Sequence, residues 1–222
     1  MDADSRDVVK LVIGLIATMS ALVLSLLIAS ANGSYDQQKN ELNTLSANIV
    51  LLDRTLEFYG ADARAIRAAL SDTVRSTHDR IWSRAGVRPE ALTSTETQDA
   101  ANANLAQLHS LSPKTDAERA LLSRAMQLSD SISQSRLLMA AQLGGSIAWP
   151  FLTVLVFWIS ILFFGFGLFA RANLTVTLAL LVGTLSVAGA IFLILELNDP
   201  YRGLMRISDA PLRSAMSQID HR

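Results

Sequence analysis

The chain has 222 residues, half of them apolar, with a mean hydropathy of +0.33 and a net charge of −1. No basic excess points to nucleic acid, so no nucleic-acid partner is expected. The absence of cysteine excludes disulfides, thiolate metal sites and cysteine nucleophiles.

The apolar residues come in blocks. Residues 11–31, 147–170 and 174–195 carry no charge. Each block is longer than the roughly 20 residues a helix needs to cross a hydrocarbon core of about 30 Å. Lipid offers no partner to backbone groups, which rules out irregular structure there. The chain therefore reads as an all-α integral membrane protein with three transmembrane helices and an inserted antiparallel helical bundle. Its expected parts are a first transmembrane helix at 1–32, a soluble bundle at 33–146, a transmembrane hairpin at 147–198 and an amphipathic tail at 199–222. Ala29-Ser30-Ala31 has the form of a signal-peptide cleavage site. Asp2, Asp4 and Asp7 precede the run, however, where a signal carries positive charge, so a retained span is expected.

In the first span, Gly14, Thr18, Ala21, Ser25, Ala29 and Asn32 recur at steps of three and four and share one helix face. Ala179, Gly183, Ser186 and Ala190 repeat the idea in the third span. Small residues let helix backbones approach closely in lipid. Packing within one subunit is the first reading of these stripes, and a subunit interface the second.

The insertion reads as helices. Leu42, Leu45, Ile49, Leu52, Leu56 and Tyr59 form an apolar seam that continues the first span as one helix to Tyr59, with Gly60 as its stop. A second helix is expected over 62–84, burying Ile66, Leu70, Val74 and Ile81, until Gly86 and Pro89 break it. A third over 95–111 follows the capping box Thr93-x-x-Glu96. A fourth follows Thr115-x-x-Glu118 and buries Leu121, Ala125, Leu128, Ile132, Met139 and Leu143. One-sided stripes of this kind pack into an antiparallel bundle. Trp149-Pro150 opens the second span, and only residues 171–173 join it to the third. In the tail, Ser208 or Asp209 can cap a helix with Pro211 in its first turn. Leu212, Met216 and Ile219 share a face that suits either the membrane surface or the bundle. Lys39, Arg136, Arg202, Arg206 and Arg213 outnumber Arg6, Lys10 and Arg171 at the span ends, which favours a cytoplasmic bundle and C-terminus.

Chemistry-bearing residues are few. His78, His109 and His221 lack metal-ligand spacing, and no phosphate loop or serine elbow is present. No enzyme activity, cofactor or metal is expected. Arg64, Arg67, Arg75 and His78 share a face of the second bundle helix. Asp62, Asp72 and Asp79 lie nearby, so a solvated, ion-paired face is the first reading and an anion or lipid-headgroup contact the sharper one. Most of the chain's Phe residues lie in the second span. Aromatic rings sit readily in lipid, but Phe edges can also line a dry anion path. Phe157, Phe164 and Leu168, on one face, are the candidates for such a path or gate. Glu196 ends the third span where the helix dipole disfavours a carboxylate. It reads equally as a gate or ion site and as the partner of Arg202 or Arg206 in an ion pair. Asp199-Pro200 reads as a turn.

The segment ANIVLLDRTLEFYGADARAIRAAL at 47–70, Trp149-Pro150 before the second span and LELNDPYRGLMRISDAPLRSAM at 195–216 together resemble the bestrophin-like domain family of bacterial membrane proteins. The resemblance covers nearly the whole chain, though similar members often carry four spans where this one shows three. It implies an inner-membrane homo-oligomer in contact with lipid, conducting a small anion as bestrophins do. The alternative is a membrane-anchored scaffold or sensor whose residues 33–146 bind a protein partner.

Overall fold

The computed structural model describes residues 3–83, 86–87, 94–143, 149–169, 173–198, 201 and 204–220. Among them are seven α-helices: α1 (Ala3–Tyr59), α2 (Arg64–Ile81), α3 (Thr95–Ser110), α4 (Asp116–Leu143), α5 (Trp149–Phe169), α6 (Leu174–Leu197) and α7 (Ala210–Asp220). The fold is all-α. The extended pairing consists of Trp82 with Val87 and Ser83 with Gly86, an antiparallel clip of two residues a side that ends α2 earlier than residue 84. Three helices are long and apolar enough to cross a membrane: the first part of α1, α5 and α6. The chain forms two compact units, one of Met1–Tyr35 with Ser146–Asn198, the other of Asp36–Gly145 with Asp199–Arg222.

The first unit holds the apolar helices. A Cβ on Gly165 of α5 would stand 2.9 Å from Ile13 Cδ1, so α5 and α1 touch there and a larger side chain would displace the tip of Ile13. Gly183 of α6 similarly faces the ring of Phe163. Ala31, Ile194 and Leu197 form a buried cluster with Leu24, Leu27, Ile28 and Tyr35 packed against it, joining α1 to the last turn of α6. Hydroxyls bond back into their own helices: Thr153 to Trp149 O at 2.8 Å, Ser160 to Val156 O at 2.8 Å and Thr184 to Leu180 O at 2.9 Å. This leaves no hydroxyl of these three donating into lipid.

The small-residue stripe of α1 behaves otherwise than first expected. Gly14, Thr18, Ala21, Ser25, Ala29 and Asn32 are all exposed. The face that packs inside the unit carries Ile13, Ser20, Leu24, Leu27 and Ala31 instead. The reason is that one small residue per contact is enough. At the α1–α5 contact Gly165 supplies it, and α1 answers with a branched side chain.

The second unit is built on the α1 seam, of which Leu42, Leu45, Ile49, Leu52, Leu56 and Tyr59 are all buried. Gly60 ends the helix at φ 104°, ψ −155°, a conformation open in practice only to glycine. Its N–H still donates to Leu56 O at 3.3 Å. A single 3₁₀ turn, Ala61–Ala63, follows and delays α2 to Arg64. Ile66, Leu70, Val74 and Ile81 are buried as their spacing predicts. Asn104 Nδ2 donates to Thr73 Oγ1 at 3.1 Å and Arg80 Nη1 to Glu96 at 2.6 Å, so α3 runs antiparallel to α2. Tail helix α7 also lies antiparallel on α2, with Asp209 at His78 and Asp220 at Ser71 and Arg75. The tail thus docks on the bundle, burying Leu212, Ala215 and Ile219, while Met216 is half-buried.

Two caps test the sequence reading. At α4 the box is complete: Glu118 N donates to Thr115 Oγ1 at 3.1 Å and Thr115 N to Glu118 Oε2 at 3.4 Å. At α3 the cap is Ser94, whose Oγ accepts from Thr97 N at 3.4 Å, and Glu96 is turned toward Arg80. Thr93 lies outside the described residues. The buried stripe of α4 is Leu122, Ala125, Leu128, Ser135 and Met139. Leu121 and Ile132 are half-buried, and the Leu143 side chain lies outside the described residues.

A Cβ on Gly60 would meet no atom within 4 Å. Gly60→Ala should therefore destabilise the bundle by backbone strain alone, by about 1–3 kcal/mol. Chemical unfolding followed by circular dichroism would measure it.

Candidate functional site

Phe157, Phe164 and Leu168 stand on one face of α5 and are 61%, 70% and 67% exposed. Among the described residues no helix of their own unit covers them. On the opposite side Leu152, Leu155 and Leu162 are buried. Between α5 and α6 runs an apolar groove whose walls include Phe163, Phe166, Val176 and Gly183. Glu196 occupies the last turn of α6, partly buried between Ile194 and Leu197 of the apolar cluster. Arg206 is exposed, in the second unit, and Arg202 lies outside the described residues.

The cationic face of α2 is divided among partners. Arg67 turns toward α1 and forks onto Asp53, with Nε to Oδ1 at 2.8 Å and Nη2 to Oδ2 at 2.9 Å. The Asp53 carboxylate is almost wholly buried and the guanidinium mostly so. The hydrogen bond to Asp53 raises the pKa of Arg67 above its ordinary value, against the opposing effect of burial. Arg75 reaches Asp220 of α7 at 2.6 Å, a half-exposed pair. His78 sits between Asp79 and Asp209, 3.1 Å from each, and stacks on Trp82 with centroids 5.5 Å apart. Asp209 in turn accepts from Arg213 at 2.8 Å. Arg64 is exposed at the start of α2. The arginines suggested for an anion are thus not gathered on one point, and two of them address carboxylates of this chain.

Sequence reasoning missed three features. Asp53 was one, although it lies as far before Gly60 as Arg67 lies after it, which is the register an α-hairpin imposes. Another is a cavity inside the bundle, whose polar lining is scattered over three helices. The third is Tyr201, 1% exposed, with no hydrogen bond to its hydroxyl among the described residues. Burial pushes its phenol up to about 12.

Residues 1–212 match the bestrophin-like domain. No curated protein matches the chain, and no solved structure does.

Two measurements follow from the bundle. Removing one partner of the buried pair, as in Asp53→Asn or Arg67→Gln, should cost about 3 kcal/mol or more, because the other is left desolvated. A double-mutant cycle on unfolding free energy would show the coupling. For Tyr201, the folded chain holds the phenolic proton more tightly than an unfolded chain, where it leaves near about 10. Its contribution to stability is complete below that pH and is lost as pH rises toward about 12. Alkaline ultraviolet titration should show a tyrosine ionising late, and Tyr201→Phe should remove that step.

Proposed function

The chain belongs to the bestrophin-like domain family, and we propose that it is an oligomeric anion channel of the bacterial inner membrane. The observation that carries this reading is the exposed small-residue stripe of α1. Gly14, Thr18, Ala21, Ser25, Ala29 and Asn32 form a surface suited to close helix approach, yet it stays exposed in a single chain. A neighbouring copy is its natural occupant. In such an assembly the exposed Phe157, Phe164 and Leu168 face would line a shared axis, where an apolar constriction gates by dewetting and Phe edges favour an anion. Glu196, at the end of α6, would act as a gate or ion site, with Arg202 and Arg206 as its ion-pair partners under the structural alternative. The bundle and C-terminus face the cytoplasm in this reading, and the protein has no enzymatic activity, cofactor, metal or nucleic-acid partner.

A second reading rests on the bundle surface. Leu51, Phe58, Leu137 and Leu138 are exposed there, and Phe58 is 76% so. These support a membrane-anchored scaffold whose residues 33–146 hold a protein partner, with spans that conduct nothing.

Reconstitution separates the two. Under the channel reading, purified protein in liposomes passes chloride, detergent particles show a ring around an axis, and Glu196→Gln changes conductance or its pH response without loss of assembly. A monomer that passes no ion, but retains a partner through residues 33–146, would establish the scaffold instead.

A further inference from the structure

Inside the bundle, α1, α2, α3, α4 and α7 converge on a cavity of about 80 Å³. We propose that this cavity is a binding site for a small organic monocarboxylate. It stands on the bundle alone and does not depend on whether the spans conduct.

The apolar half of the lining comes from Ile49 and Leu52 of the α1 seam, with Leu70, Leu108 and Leu212 opposite. A bundle interior is normally apolar throughout. Here α4 presents Ser129, Ser133 and Arg136 to the same space, at helical steps of four and three. Thr73, Thr77, Thr97 and Asn104 also line it; Thr73 and Asn104 are engaged with each other, Thr73 donates to Ala69 O at 2.7 Å, and Thr97 Oγ1 meets Ser94 Oγ at 2.8 Å. Arg136 is the one charged side chain among the described lining residues. Its burial lowers its pKa from the ordinary value, the mark of a cation held where water is scarce.

Those features fix the ligand's chemistry. A single cation selects a single negative charge. A guanidinium has five N–H donors in a planar fork, which match a carboxylate whatever else Arg136 touches. Phosphate and sulfate would bring more charge and a larger hydration shell than one arginine and a few hydroxyls replace. The leucine and isoleucine walls ask for an apolar body. An apolar cavity of about 150 Å³ admits the six carbons of benzene, so a space of about 80 Å³ suits an aliphatic body of roughly three carbons, with the carboxylate toward the mouth. Ser133 is exposed, which puts the mouth on the α4 side, where a ligand enters without any helix unfolding.

The test uses the full chain in detergent, titrated with butyrate and followed by thermal unfolding and calorimetry. Butyrate should raise the Tm saturably, while 1-butanol and inorganic phosphate at the same concentrations should not. Arg136→Gln should weaken butyrate binding roughly 30-fold or more, the loss expected when one side of a desolvated charge pair is removed. Ser129→Phe, which fills the cavity and leaves the arginine in place, should abolish binding, and it decides the matter if Arg136→Gln does not fold. Absence of saturable butyrate binding, or binding that survives both substitutions, overturns the proposal. Tighter binding of decanoate than of butyrate also overturns it, and would assign the cavity to a membrane-derived fatty acid.

Discussion

The two parallel hydrogen bonds from Arg67 to Asp53 set the register on which the bundle depends. A fork-to-carboxylate contact fixes a plane and an orientation as well as a distance. With Gly60 turning the chain between them, it allows one alignment of α2 against the α1 seam. From that alignment follow the pairing of Thr73 with Asn104 and the placing of His78 beside Asp209. The pair is not the main source of stability, since desolvation offsets most of its attraction. Burial of the seam and of Ile66, Leu70 and Val74 supplies that. What the pair adds is a penalty for error, because a slip of α2 by one residue would strand a buried carboxylate.

One helix, α1, obeys two opposite rules along its length. Beyond Asp36 its large apolar residues turn inward, because water drives Leu42, Leu45 and Ile49 into the bundle. Before Tyr35 its large apolar residues are largely exposed, Leu11, Leu15, Leu22 and Leu26 among them. Lipid tails are as apolar as leucine, so nothing drives those side chains together. Contacts there depend on shape, as at Ile13 against Gly165, and on which helix supplies the small residue.

That contrast explains what could be read from sequence. In the bundle, hydrophobic periodicity carries the information. The seam, the α2 stripe, the Gly60 stop and the Thr115–Glu118 box are all legible as local patterns of three or four residues. The errors there are small and have local causes. Ser94 rather than Thr93 caps the described start of α3, two adjacent hydroxyl residues offering the same chemistry. Leu122 rather than Leu121 is buried on α4, since neighbouring leucines fit one stripe almost equally well. In the spans, composition announces the helices but not their faces, because every face is apolar. Candidate residues such as Phe157 and Phe164 could be placed on one side of α5 but not assigned a neighbour. The Asp53–Arg67 pair and the cavity lining were hidden for a different reason: each is a relation between helices, visible only once the hairpin register is known.

Helix α7 ties these relations together. Polar contacts hold it at both ends, Asp209 to His78 and Asp220 to Ser71 and Arg75, with Leu212, Ala215 and Ile219 buried between them. Leu212 is at once the anchor of this helix and part of the cavity wall. Anything that fills the cavity therefore bears on the docking of α7, and by reciprocity the docking of α7 bears on how well the cavity is filled. In the chain α7 follows α6 after only residues 198–209. The last apolar helix is thus connected, by a short covalent path, to the element that closes the bundle interior.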